Sequence, residues 1–207
     1  MLPRLHAVTN DRILRLSDLA ARAAAIGSAG HVGLHVRGRT AVESRLVETA
    51  HSFRRAGGTL FVNDRVDVAA HVHSTGIHLP AEGLPTTVVR DLLGPDVLIG
   101  RSSHDPDEAL LAWDQGLDYV FLGPIWKTAS HPGRPAIGTE AIEAAQPARV
   151  IAIGGVTPER VRHCIEAGAY GVAAVSALWE AANPAAVASR MLVCFDESSA
   201  ERPARHE

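Results

Sequence analysis

The chain has 207 residues, 46% of them hydrophobic and only 4% aromatic, with a formal net charge of −3. That length suits a single α/β domain, and the absence of a basic block removes the usual electrostatic basis for a nucleic-acid or polybasic membrane role. No apolar run reaches the roughly 20 residues needed to span a bilayer, and the start, MLPRLHAVTNDR, has no secretory core, so a soluble cytoplasmic protein is expected.

In chain order, short apolar runs alternate with Ala-rich stretches of helical periodicity. LHAVT (5–9) precedes LSDLAARAAAI, and VGLHV (32–36) precedes AVESRLVETAHSFRRA. TLFVN (59–63) leads into RVDVAAHV, GIHL (76–79) into TTVVRDLL, and VLIGRS (97–102) into DEALLAWDQG. DYVFLG (118–123) is followed by a long loop and TEAIEAA, VIAIGG (150–155) by TPERVRHCIEAG, and YGVAAVS (170–176) by ALWEAANPAAVASRML. Strand-then-helix units without a break in composition predict one closed (β/α)8 TIM barrel, an α/β fold, over residues 1–195. With so few aromatic rings, its core is expected to rest on Ala, Val, Leu and Ile. The polar remainder, 196–207, is expected to be a disordered tail. Cys164 and Cys194 fall in helix-like segments without metal-ligand spacing, which predicts free thiols in a reducing compartment.

In such a barrel the chemistry belongs at the C-terminal ends of the strands. Strand two ends HVRGRT, where His35, Arg37 and Arg39 share a parity and point to one side. Cations there suit a phosphorylated or carboxylated substrate. The competing reading makes the arginines solvated rim charges and His35 a hydrogen-bonded core residue. Strand three ends with Asn63 and Asp64, and strand five with Ser102, Ser103 and His104. Asp105, before Pro106, is the better helix cap, which leaves His104 free. Strand seven ends with Gly154 and Gly155, then Thr157 and Pro158 as N-cap and first helical residue, and strand eight ends at Ser176. Together these predict a phosphate site. The loop GPIWKTASHPGRPAIG (123–138) holds three prolines and three glycines and can continue neither neighbouring element. Long loops of this kind are lids or binding loops.

The ordered set VTND, HVRGR, FVNDRVDVA, GIHLP, IGRSSH, DYVFLGPIWKT, VIAIGGVTPERV and AGAYGVAAVSAL resembles the thiamine phosphate synthase/TenI superfamily across almost the whole chain, tail excluded. The resemblance implies a TIM barrel that binds a thiazole phosphate at the ends of strands seven and eight. The synthase pattern has Gln-x-Arg-x-Lys on strand two, an aspartate after strand three, a second after strand four, and Thr-x-Thr-Lys in the long loop. Its aspartates hold Mg2+ and its lysines neutralise a pyrophosphate. This chain keeps Arg37, Asn63, Asp64, Ser102, Thr128, Gly154, Gly155 and Ser176. It departs at His35 for Gln, Arg39 for Lys, Gly83 beside Glu82 for the second Asp, and Ser130-His131 for Thr-Lys. At several of these places it is similar to the TenI branch, which implies a thiazole tautomerase that moves one proton without a metal or other cofactor. Pro124 stands where the tautomerase family has its histidine.

The expected function is therefore metal-free tautomerisation of a thiazole phosphate carboxylate, with His131 as acid/base on a lid formed by 124–138, or else His104 or His35. Arg37, Arg39, Asn63, Ser102, Thr128, Gly154, Gly155 and Ser176 are expected to bind the substrate. One alternative is a thiamine phosphate synthase joining hydroxymethylpyrimidine pyrophosphate to thiazole phosphate, with Asp64 on Mg2+. The other is a non-catalytic binder of thiazole or thiamine phosphate. The expected partner is this small molecule, and not nucleic acid or membrane. Apolar surface on an outer helix is compatible with a homodimer, although periodicity does not select the helix.

Overall fold

The computed structural model describes residues 1–128 and 133–201. Its strands are β1 (Leu5–Val8), β2 (Val32–Val36), β3 (Thr59–Asn63), β4 (Gly76–Leu79), β5 (Leu98–Ser103), β6 (Tyr119–Leu122), β7 (Val150–Ile153) and β8 (Gly171–Ala174). They pair in parallel in sequence order, and Leu5 registers with both Val32 and Val172, so β8 closes on β1. The helices are α1 (Leu19–Gly27), α2 (Glu43–Arg55), α3 (Val66–His71), α4 (Thr86–Leu93), α5 (Pro106–Trp113), α6 (Glu140–Ala144), α7 (Val161–Glu166), α8 (Ser176–Trp179) and α9 (Pro184–Glu201). The chain is a single (β/α)8 barrel, as its alternating pattern predicts.

The sequence reads as one final helix over 177–192, whereas the chain folds it as α8 and α9. Pro184 has no N–H to donate into a preceding turn, so it takes the first position of α9. The Asn183 side chain accepts from the Ala186 N–H at 3.0 Å and starts the new helix. Because α9 reaches Glu201, the expected tail boundary after residue 195 falls inside a helix.

The hydrophobic interior has two layers. Between strands and helices it is largely Ala, Val, Leu and Ile, with Phe53 stacked on Trp179 at 5.4 Å. Inside the barrel, the rings of His6, His35, Phe61, His78, Tyr119 and Phe121 cluster beside Leu2, Val8, Ile151 and Ala173. His35 stacks on Phe61 at 4.6 Å, and His78 lies 4.0 Å from Phe121. Glycines face these rings because nothing larger fits. A Cβ at Gly33 would lie 2.6 Å from the His6 ring, and one at Gly100 would lie 2.1 Å from Tyr119. The core is mostly aliphatic, as expected, and the few rings are concentrated inside the barrel.

Among the described residues, no helix is long and apolar enough to cross a membrane. Cys164 is buried and Cys194 partly so, both as free thiols. Leu84, Val88 and Leu92, four residues apart on and just before α4, remain exposed, as does Leu111 on α5.

Candidate active site

The C-terminal ends of the strands open on two adjoining clefts of about 320 and 120 Å³, which share Arg37, Asn63, His78, Ser102 and His104. The larger adds Arg39, Asp64, Arg65 and Arg134, and the smaller reaches Phe121, Pro124, Gly154 and Val175.

The β1–α1 loop fixes the end of β2. Thr9 accepts from the Arg37 N–H at 2.8 Å, and its hydroxyl lies within reach of the His35 and Arg37 carbonyls. The Asp11 carboxylate accepts from the backbone N–H groups of Arg39 and Thr40 and from the Thr40 hydroxyl. The Arg37 guanidinium itself makes no hydrogen bond or ion pair among the described residues, although it is half-buried. Burial first, and Arg39 second, pull it below its ordinary value, while Asp11 and Asp64 pull the other way. A guanidinium stays charged under such shifts. The mouth thus holds an under-compensated cation that favours an anionic ligand.

Asp64 sits just beyond β3 with φ 67°, in the left-handed region, and its N–H donates to the His78 carbonyl at 2.9 Å. Aspartate tolerates this conformation better than most residues, and strain of this kind concentrates where a side chain must be aimed. Glu82 lies on a neighbouring cleft with Arg39, His104 and Arg134 rather than on the Asp64 wall. Among the described residues no group of three His, Cys, Asp or Glu side chains could hold a metal. A Mg2+ would fit here only with Asp64 supplemented by oxygens of a phosphorylated ligand, which is the habit of that ion.

The histidines divide by depth. His35 is fully buried beneath the mouth, with Nδ1 2.9 Å from the Asn63 amide and Nε2 2.8 Å from His6 Nδ1. His78, which pairs in register with Asn63, lies 2.9 Å from the Ser102 hydroxyl and 3.2 Å from that of Tyr119. Burial, as the largest cause, holds His6, His35 and His78 well below the usual imidazole range. His104 lines both clefts but is not free: its Nδ1–H donates to the Gly123 carbonyl at 3.1 Å, and its backbone N–H to Glu108 at 2.8 Å. Asp105 caps α5 by accepting from the Glu108 N–H at 2.8 Å. His131 and Ser130 lie outside the described residues.

Gly154 and Gly155 have φ of 93° and 69°, and their N–H groups have no hydrogen-bond partner among the described residues. A Cβ at either would come within 2.6 Å of Pro124 or 2.8 Å of Trp126. The reason is a close seam: Ile125 and Trp126 donate to the Ile153 and Gly154 carbonyls at 2.9 and 3.0 Å. Ile137 and Gly138 donate back to Pro124 and Ile125, so both ends of the long loop are tied to the end of β7. Arg160 lies over the Trp126 ring at 5.0 Å. This stem delivers Arg134 to the cleft beside Arg37 and Arg39.

The structure thus gathers Arg37, Arg39, Asn63, Asp64, Ser102, His104 and Arg134 at one mouth, with Gly154 on its far wall. Thr128, Gly155 and Ser176 line neither cleft. Sequence reasoning missed Thr9, His6, His78 and the position of Arg134. His78 was open to discovery through register, because a residue opposite Asn63 at a strand end shares its surroundings.

A family described as thiamine monophosphate synthase matches residues 5–178. A thiamine-phosphate synthase of a Synechocystis species is 39% identical over 67% of this chain, which spans only 41% of that protein. One from Acidothermus cellulolyticus is 37% identical over 90% of this chain and 92% of its own length. A solved thiamine phosphate pyrophosphorylase from Pyrococcus furiosus has a TM-score of 0.76 at 27% identity, covering 94% of this chain and 96% of that one. These relatives overturn the expectation of a thiazole tautomerase. The physical reason agrees with them: the mouth offers arginines and an aspartate suited to a pyrophosphate, and of the expected acid/base residues His35 is withdrawn into the barrel.

Proposed function

The chain belongs to the thiamine monophosphate synthase family, and from that premise we propose that it joins hydroxymethylpyrimidine pyrophosphate to thiazole phosphate, releasing pyrophosphate. The observation that carries this reading is the cleft where Arg37, Arg39 and Arg134 meet Asp64. In the exchange, the bond between the pyrimidine methylene carbon and the pyrophosphate oxygen breaks, and a bond from that carbon to the thiazole ring nitrogen forms. Negative charge accumulates on the departing pyrophosphate, where preorganised guanidinium groups are most effective. Asp64 would hold Mg2+, which neutralises the same leaving group when bound. The exposed carboxylate of Glu82 stands on the adjoining wall. The Gly154 N–H, on the wall of the smaller cleft and without a hydrogen-bond partner among the described residues, is assigned to the thiazole phosphate. No proton changes hands in this exchange, so it needs no acid/base histidine.

The test is incubation of both substrates with and without Mg2+, followed by chromatography. Equimolar thiamine phosphate and pyrophosphate, suppressed by a chelator, are expected. No product at any Mg2+ concentration would rule out the synthase reading.

A further inference from the structure

Inside the barrel, polar atoms form a single file from its floor toward its mouth. The Pro3 carbonyl lies 2.9 Å from His6 Nε2, His6 Nδ1 lies 2.8 Å from His35 Nε2, and His35 Nδ1 lies 2.9 Å from Asn63 Oδ1. Asn63 lines both clefts, and the other end of its amide has no hydrogen-bond partner among the described residues. A carbonyl only accepts, so His6 Nε2 carries a proton.

The proton count then has two solutions. With the Asn63 oxygen facing His35, that ring must donate through Nδ1. The two rings then share three protons, and one of them is an imidazolium. With the Asn63 amino group facing His35, two protons satisfy every bond and both rings are neutral. In that case His6 Nε2–H donates to Pro3, His35 Nε2–H donates to His6 Nδ1, and Asn63 N–H donates to His35 Nδ1.

The first solution is the orientation in which the amide stands in the structure, and it places a cation among the rings of Phe61, Tyr119 and Phe121; the second turns the amide about its last bond. The ionisable groups acting on His6, His35 and His78 are one another, His31, Arg37 and Arg101, and none is a carboxylate. An unpaired buried charge is far more costly than turning an amide, whose two ends have the same shape.

We propose that His6 and His35 are positioning residues that, through this one-directional chain, hold the Asn63 amide with its oxygen toward the mouth, where it accepts from an N–H donor of the bound pyrimidine substrate. The identity of the substrate rests on the synthase reading, whereas the polarity of the chain does not. An asparagine left to itself presents either a donor or an acceptor. Anchored at Pro3, it presents only the acceptor, and a ring with an unprotonated nitrogen or a carbonyl at that place is refused.

Long-range proton–nitrogen correlation NMR of the 15N-labelled protein at pH 7.5, with the two rings assigned from the spectra of His6→Gln and His35→Gln, reads the tautomers directly. Both rings are expected as Nε2–H with a bare Nδ1. A proton on His35 Nδ1, or either ring as imidazolium, overturns the proposal. The kinetic arm uses His6→Leu, which removes the acceptor and frees His35 to change tautomer. The KM for the pyrimidine pyrophosphate should rise about tenfold, the worth of one hydrogen bond, with the KM for thiazole phosphate unchanged. His6→Gln should restore it, because a glutamine amide can donate to Pro3 and accept from His35 as the imidazole does. Equal KM values in wild type and His6→Leu overturn the role in recognition. A wild type with neither synthase product nor turnover sinks the synthase reading and leaves the NMR result to decide the chain by itself.

Discussion

Arg37 carries a charge that the folded chain leaves uncompensated, and this determines how its removal should read. Arg37→Ala is expected to leave the urea unfolding midpoint unchanged or higher, because no partner in the described structure is orphaned. Its KM for the pyrimidine pyrophosphate should rise about 10- to 100-fold, as for a lost charge-assisted hydrogen bond. Arg134 is exposed and reaches the same cleft from the loop, so Arg134→Ala should give a rise of about tenfold or less. Asp64 poses a different test, since its backbone is left-handed and asparagine tolerates that conformation as well as aspartate does. Asp64→Asn should therefore unfold at the wild-type urea concentration yet lose at least about 100-fold in Mg2+-dependent turnover. Equal turnover in the two proteins would remove Asp64 from the metal site.

At the scale of elements, the seam between the β6–α6 loop and the end of β7 matters more than either segment alone. Gly154 is required twice over: by its φ of 93°, and by Pro124 backbone only 2.6 Å from where a Cβ would stand. Gly116, just past α5, shares a positive φ of 78° but faces open space. Gly116→Ala should cost roughly 1–2 kcal/mol, the price of a left-handed residue with a side chain. Gly154→Ala should cost more than Gly116→Ala in the same urea titration, because the loop must also move. It should also impair turnover, since the displaced loop carries Arg134. Equal destabilisation by the two substitutions would show that the seam is loose.

For the whole molecule, the ring-lined barrel interior makes stability depend on pH. His6, His35 and His78 have folded values well below their ordinary 6.5, chiefly through burial. Below pH 6.5 the unfolded chain takes up protons that the folded chain refuses, so stability is full above that value and falls as the pH drops. Each such histidine contributes a slope of up to about 1.4 kcal/mol per pH unit. Urea midpoints at pH 7.5 and 5.5 should therefore differ markedly in the wild type and less in His78→Phe, compared at matched salt. A flat profile would mean that the barrel interior is hydrated.

The alternation of apolar runs and amphipathic helices was enough, by itself, to determine the closed barrel, because each local period assigns a face and eight consecutive units leave few ways to bury those faces. The strand ends named Arg37, Arg39, Asn63, Asp64, Ser102 and His104 for the same reason: strand parity and position place them at the mouth. What lay beyond the sequence depends on contacts between distant segments. His35 and Arg37 share a parity, yet one stacks on Phe61 inside the barrel and the other opens on the cleft. Arg134 has no role that its place in the loop sequence assigns, and the pairing of 137–138 with 124–125 brings it to the mouth. The chain from Pro3 through His6 and His35 to Asn63 joins residues from three strand units. Its direction follows from the pairing of neighbouring strands above the Pro3 carbonyl, which can only accept at one end and leaves the other to the ligand.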